Sequence, residues 1–416
     1  MNFVLYRVLF SVALVAALGS TLCSHTAVAA ERLTPEKITE LVRLGDAALS
    51  PDGKQLAYLV TRIDLAENSG RTSLMLMDMP QGELESSTMA VGFDTPLSTA
   101  SAKSLLSDIR GLNSLSWIRR PQGDMLLYAA LTEGDSPTMQ AWLLDPAGGD
   151  PMQVTDVADG IANLKPSPTG DAIAFTVDIK MDQTVNELYA DLPKADARII
   201  DSLLYRHWNA WHDYAYTHVH VARFGEDGKT LPPVDVMGAL KADCPLPPFG
   251  GAEQFAFSPD GKELALTLKL VKNPAESTDS GVYLVSTSGG SLKAITPGMP
   301  GYDMEPRYSP DGRYLAFHSM ERAGFEADRN RIMLYDRTSG AVRELTVGLD
   351  QTAHSATWSA DSKQLFFTSE TRGTTQAYAI SVESSQLKPM SSGRFDFALI
   401  DEIPTESGGA RLLLRQ

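Results

Sequence analysis

Four of the seven histidines in this 416-residue chain, His207, His212, His218 and His220, fall between positions 207 and 220. If His218 and His220 share a strand, both rings point to one face, as a metal-binding pair would. No cysteine lies near and no third ligand is nominated, so neither a metal nor any other cofactor is assigned. The same segment reads Tyr205-Arg206-His207-Trp208-Asn209-Ala210-Trp211-His212-Asp213-Tyr214. Such clusters commonly pack an insertion against its domain, but amphipathic aromatic tips also suit a wet pocket. His207 and Trp208 are therefore candidate substrate-binding residues.

A second candidate is Glu321-Arg322, which follows the apolar stretch Tyr314 to Ser319 and precedes Ala323-Gly324-Phe325-Glu326-Ala327-Asp328-Arg329. A charged loop is usually just solvated. At the mouth of a pocket, however, Glu321 can select an α-ammonium, because desolvation strengthens a carboxylate's preference for a cation. The motif for a hydrolytic serine is missing: no two glycines stand four apart, so Gly-x-Ser-x-Gly occurs nowhere. None stand two apart either, which excludes dinucleotide fingerprints. No catalytic residue is assigned.

The elements that must carry these candidates announce themselves by repetition. Ser-Pro-Asp-Gly occurs at Ser50–Gly53, Ser258–Gly261 and Ser309–Gly312, each time before a short apolar run. Proline fixes φ, the aspartate can bond its own backbone and glycine accepts positive φ, which makes a tight turn into a half-buried strand. Weaker copies follow Ser116-Trp117, Ser167-Pro168-Thr169-Gly170-Asp171 and Trp358-Ser359-Ala360-Asp361. A spacing of roughly 50 residues suits a four-stranded propeller blade. The chain is expected to be all-β, a β-propeller of about seven blades whose last is incomplete. That seventh block starts after Phe395 and reaches Leu412-Leu413-Leu414. Unable to close its ring, such a chain would self-associate through the truncated blade.

Residues 1–30 read as a signal peptide, with Arg7 before the apolar run Val8 to Leu18 and small residues at Ala27 and Ala29. The run is shorter than the about 20 residues of a membrane span. Bulky Leu22 before Cys23 argues against a lipid anchor, so a periplasmic or secreted protein without a stable membrane anchor is expected. One cysteine, Cys244, remains after cleavage and cannot form an internal disulfide. The net charge of −16 repels phosphate backbones, which disfavours nucleic acid as a partner.

Residues 31–416 then form the propeller. Thr34-Pro35 before Glu36 reads as an N-cap and first position of a short helix. The stretch from about Ser86 to Ser107 reads as loop. Between Ser167 and Ser258 the spacing exceeds one blade, which places an insertion at about 180–250 with a brief helix at Leu192 to Ile200.

Leu204 to Asp213, Pro248-Phe249-Gly250-Gly251, Gly301-Tyr302-Asp303-Met304 and His318-Ser319-Met320-Glu321-Arg322-Ala323-Gly324 together resemble the propeller of dipeptidyl-peptidase V-like enzymes. These are serine peptidases of the prolyl oligopeptidase family, alongside the acylaminoacyl peptidases. The resemblance implies an N-terminal propeller that restricts access and seats a peptide's N-terminus. It also implies an α/β-hydrolase domain with the catalytic triad, which this sequence lacks, so peptide substrates would be engaged through a missing domain. A stand-alone TolB-like propeller that binds protein partners is the alternative, although its repeats would keep even spacing. A lyase or hydrolase working in the central channel is a third reading, for which the sequence shows no clustered acid and base.

Overall fold

The structure, a computed structural model, describes residues 32–79, 102–212, 214–403 and 411–416. The expected signal peptide at residues 1–30 lies outside the described residues. The chain divides into two compact units, Met1–Leu41 and Val42–Gln416. In the first, the helix Pro35–Glu40 begins as expected, with the Thr34 hydroxyl accepting from the Lys37 amide at 3.3 Å.

The second unit is a β-propeller whose strands pair antiparallel throughout. Blade 1 comprises Arg43–Leu49, Gln55–Asp64, Ser69–Asp78 and Lys103–Ile109. Blade 2 comprises Asn113–Arg120, Gly123–Leu131, Met139–Leu144 and Met152–Gln153, and blade 3 Ala162–Pro166, Ala172–Lys180, Ala215–Arg223 and Val234–Asp235. Blade 4 comprises Phe255–Phe257, Glu263–Leu268, Gly281–Ser286 and Lys293–Ala294, and blade 5 Asp303–Tyr308, Tyr314–Ser319, Arg331–Asp336 and Val342–Glu344. Blade 6 comprises Ala353–Trp358, Gln364–Thr371, Thr374–Ser381 and Leu387–Pro389. A seventh sheet pairs Ala398–Ile403 with Arg411–Arg415. Two expectations need correction here. Lys103–Ile109 is a strand rather than loop, because Leu105, Leu106 and Ile109 pack on the core shared by blades 1 and 2. No helix forms at Leu192 to Ile200; the insertion's helix is Val185–Leu188, where Glu187 caps the Thr184 amide.

The repeated turn shows why each blade starts as it does. The Ser309 hydroxyl donates to Asp311 at 2.6 Å and accepts from the Tyr314 amide at 2.9 Å, while Gly312 takes φ 71°. Ser50, Ser258 and Ser359 repeat this arrangement. These serines are buried, so the bonds spare them an unpaired hydroxyl, a cost of about 1–3 kcal/mol each.

The core lies between blades rather than within one. Separate apolar clusters join blades 1 and 2, 2 and 3, 3 and 4, 4 and 5, and 5 and 6. In blades 5 and 6 the residue before the turn serine stitches its blade to the preceding one: Trp358 Nε1 donates to the Arg307 carbonyl at 2.9 Å, and the Tyr308 hydroxyl donates to Glu263 at 2.7 Å. Trp117, at the matching register of blade 2, donates to the Ala48 carbonyl at 2.9 Å. The expected strand at Leu412-Leu413-Leu414 is present, and the last sheet has two strands among the described residues, as an incomplete seventh blade implies. Ala398–Ile403 packs against both the sixth blade and Arg43–Leu49 of the first. The Ala360 amide donates to Glu402 at 2.7 Å, a further bond between the last sheet and blade 6.

Candidate functional site

Because strands alternate in direction, the links between second and third strands emerge at the end of the ring opposite the serine turns. The same end receives the links from one blade to the next. Both sequence candidates lie on such links. His207 and Trp208 stand on a short hairpin, Arg206–His207 paired with Ala210–Trp211, inside the 181–214 link of blade 3. Glu321 and Arg322 stand on the 320–330 link of blade 5. The insertion is narrower than about 180–250, since Ala215–Arg223 pairs with Ala172–Lys180 along its whole length as a blade strand.

On the blade 3 link, Trp208 lies edge-on to His207 and to Phe249, with ring centroids 5.1 and 5.4 Å away. Trp208 and Phe249 remain 65% and 81% exposed, so this pair is a ledge rather than a core. Beside it, Leu203, Leu204, Tyr205, Arg206 and Trp208 line a cavity of about 420 Å³. Tyr205 stacks on Trp211, over which the Arg198 guanidinium sits at 4.6 Å.

Phe249 is held out by a compact loop. The Leu246 amide donates to Gln254 Oε1 at 2.7 Å and the Gly250 amide to the Leu246 carbonyl at 2.9 Å. A Cβ at Gly250 would stand 2.6 Å from that carbonyl, so only glycine fits. The loop ends in the 3₁₀ turn Ala252–Gln254, which leaves blade 4 with an inner strand of three residues. Carbonyls of this turn and strand are taken by cations of the flanking blades. Lys165 of blade 3 donates to Ala252 and Phe255, at 2.5 and 2.7 Å, and Arg307 of blade 5 donates to Glu253 at 2.8 Å. Burial of its ammonium, and then repulsion from Arg307, hold Lys165 well below the usual lysine range.

Blade 5 departs from its neighbours in side-chain chemistry. Nine residues after the turn serine, blades 3, 4 and 6 carry Thr176, Thr267 and Thr368, whereas blade 5 carries His318. Four residues before it, blade 3 has Asn163, whose amide donates to Thr176 at 3.0 Å; blade 5 has Glu305, 3.1 Å from His318 Nδ1. Burial pushes the Glu305 carboxyl up, but His318, Arg307 and His354 outweigh it and hold it below the usual carboxylate range. His354 in turn pairs with Glu370 at 2.9 Å. Acids and bases that looked scattered in sequence thus meet on one side of the ring.

Glu321 is open to solvent, 77% exposed and 4.0 Å from Arg331 Nη1. Arg322 is engaged: it binds both oxygens of Asp328 and covers the Phe325 ring at 3.9 Å, so Glu321 is the open charge of the two. The structure brings His207 to Trp208 and sets Glu321 beside Arg322, but no hydrogen bond or ring contact joins the two pairs among the described residues. His218 and His220 do share a strand face, and both are committed. His218 bonds Asp235 and the Leu240 carbonyl at 2.9 and 2.8 Å, while His220 stacks on Phe175.

Comparison with known proteins agrees with this architecture. A family model described as the TolB beta propeller domain matches residues 249–399. Dipeptidyl-peptidase 5 of Porphyromonas gingivalis is 29% identical over 370 residues, covering 88% of this chain and 50% of that protein. The dipeptidyl-peptidase 5 of Porphyromonas endodontalis is 30% identical over 373 residues, covering 89% and 50%. The chain therefore spans about half the length of the curated relatives it matches. Among solved structures, the acylaminoacyl peptidase of Pyrococcus horikoshii superposes with a TM-score of 0.60 at 13% identity, over 89% of this chain and 49% of that one. The β-propeller domain of the Trilobed protease from Pyrococcus furiosus gives 0.53 at 11% identity, over 88% of each. At such identities the solved structures establish the fold alone. The resemblance to dipeptidyl-peptidase V-like propellers, drawn from the motifs, holds across nearly the whole chain.

Proposed function

We propose that this chain is the substrate-gating propeller portion of an exported serine exopeptidase of the dipeptidyl- or acylaminoacyl-peptidase kind, periplasmic or secreted and not catalytic on its own. The observation behind this reading is that Glu321 and the Trp208–Phe249 ledge emerge at one end of the ring, on a chain similar to dipeptidyl-peptidase 5 proteins over 88% of its length. Arg415 reaches the Leu44 carbonyl at 3.5 Å, so the chain enters and leaves the propeller at that same end. Glu321 attracts the ammonium of a peptide, the ledge and its cavity take an apolar side chain, and the ring excludes folded proteins. Cleavage is assigned to the half of the relatives that lies outside the match.

The test uses the purified chain. It should hydrolyse neither dipeptidyl nor acylaminoacyl chromogenic substrates, yet bind free-amine dipeptides. Glu321→Ala should weaken the free-amine ligand about 10-fold and its N-acetylated form little, the loss of one charge-assisted contact. Turnover blocked by a fluorophosphonate, or equal losses for both ligands, would overturn the reading. A second reading, a stand-alone propeller that binds protein partners, is favoured by the TolB propeller match and by the contacts of the two-stranded sheet with both blade 6 and blade 1. It gains if the chain sediments as a monodisperse monomer and ignores dipeptides.

A further inference from the structure

Six residues before the turn serine, blades 3 and 6 carry Ile161 and Ala353, both buried. Blade 5 carries Asp303 at this register, with 0% exposure. Neither carboxylate oxygen has a hydrogen bond of sound geometry among the described residues. Two hydroxyls face it, Thr296 from the end of blade 4 and Ser319 from its own sheet, but Ser319 Oγ is directed at the Met320 carbonyl, 3.1 Å away. A core position that is apolar elsewhere in the ring thus holds an acid whose ionised form is poorly solvated.

The charges around Asp303 are few. Arg331, on the third strand of blade 5, favours its ionised form; Asp279, on the facing link of blade 4, opposes it. Asp279 in turn has Lys269 beside it. Arg331 ties this spot to the site described above. Its Nε and Nη2 hold the Ser319 and Met320 carbonyls and the Ser319 hydroxyl at 3.1–3.3 Å. Its Nη1 lies 4.0 Å from both Glu321 and Glu344, close to each and bonded to neither. Burial pushes the Asp303 carboxyl up to about 7, so both of its states are populated near neutrality.

We infer that Asp303 is a proton-controlled positioning residue: ionised, it draws Arg331 toward the inner strand, and protonated, it frees Arg331 to pair with Glu321 and Glu344 across the root of the 320–330 link. Glu321 is then more available to a ligand at higher pH and partly neutralised by Arg331 at lower pH. That consequence for a ligand rests on the role proposed above for Glu321, whereas the coupling of Asp303 to the link does not.

Amide hydrogen exchange of residues 320–329 in the full chain, followed from pH 5.5 to 8.5 and corrected for intrinsic rates, reads the coupling without substrate. Protection should change several-fold with a midpoint near 7. In Asp303→Asn it should be flat, and in Asp303→Ala, which carries the residue of blade 6, it should be flat as well. The imidazoles of His318 and His354 remain in both variants, so a midpoint that persists in the variants overturns the inference. A wild-type link with no midpoint in this range overturns it too. Thermal stability supplies a second measure. The folded state holds its Asp303 proton to higher pH than the unfolded chain, so wild-type stability should fall, relative to either variant, as pH rises from about 4 to about 7. A constant difference across that window would equally refute it.

Discussion

The Trp208 ring meets Phe249 edge-on at 5.4 Å, joining an inserted hairpin of blade 3 to the link between blades 3 and 4, and both rings stay largely in solvent. Exposed aromatics held together on a braced loop are suited to meeting a ligand. Trp208→Ala and Phe249→Ala should each weaken binding of dipeptides with an apolar side chain, by about 1 kcal/mol. The double variant should lose less than the sum, because either truncation dismantles the pair. Calorimetric titration of the four proteins checks this, and additive losses would mean that the two rings act separately.

The bond from Trp358 to the Arg307 carbonyl concerns stability. Trp358→Phe keeps most of the packing and leaves that carbonyl without its donor, for a loss of about 1 kcal/mol. Trp358→Ala also empties the layer between blades 5 and 6 and should cost about 3–5 kcal/mol. Urea unfolding distinguishes the two, and equal losses would show that the ring contributes nothing beyond its bond.

Lys165 makes a pH-dependent contribution. Its folded affinity for protons is depressed, first by burial and then by Arg307, so between its folded and unfolded values the unfolded chain binds more protons. Stability from this group is therefore gained as pH rises toward the ordinary lysine value and lost as pH falls. Lys165→Met removes the titration and the ammonium's hydrogen bonds to the Ala252 and Phe255 carbonyls. Wild type should exceed the variant in stability by a margin that widens from pH 7 to pH 10. A margin that stays constant would place the lysine in its ordinary range.

What could be read from the sequence was local. The Ser-Asp turn encodes its own hydrogen bonds within five residues, which is why strands, blade spacing and the helix at Thr34 were legible. The motifs carrying the family resemblance are likewise contiguous. Glu321 and Trp208 were nominated because they sit inside such motifs.

The rest depended on neighbours about a blade or more away in sequence. Asp303 belongs to a quoted motif, yet its burial follows from blade 4 closing over it, and counting back six residues from each turn serine would have exposed it as the odd acid. Lys165 and Arg307 carry no local mark, since the carbonyls they hold lie on blade 4, 54 to 90 residues away in sequence. The setting of the last sheet depended on neighbours in the same way. Sequence marks its strands, whereas only the fold sets Ala398–Ile403 between blades 6 and 1. Hydrogen-bonded turns are set by adjacent residues, but burial and charge pairing in a propeller are set between blades, where only the folded ring brings the partners together.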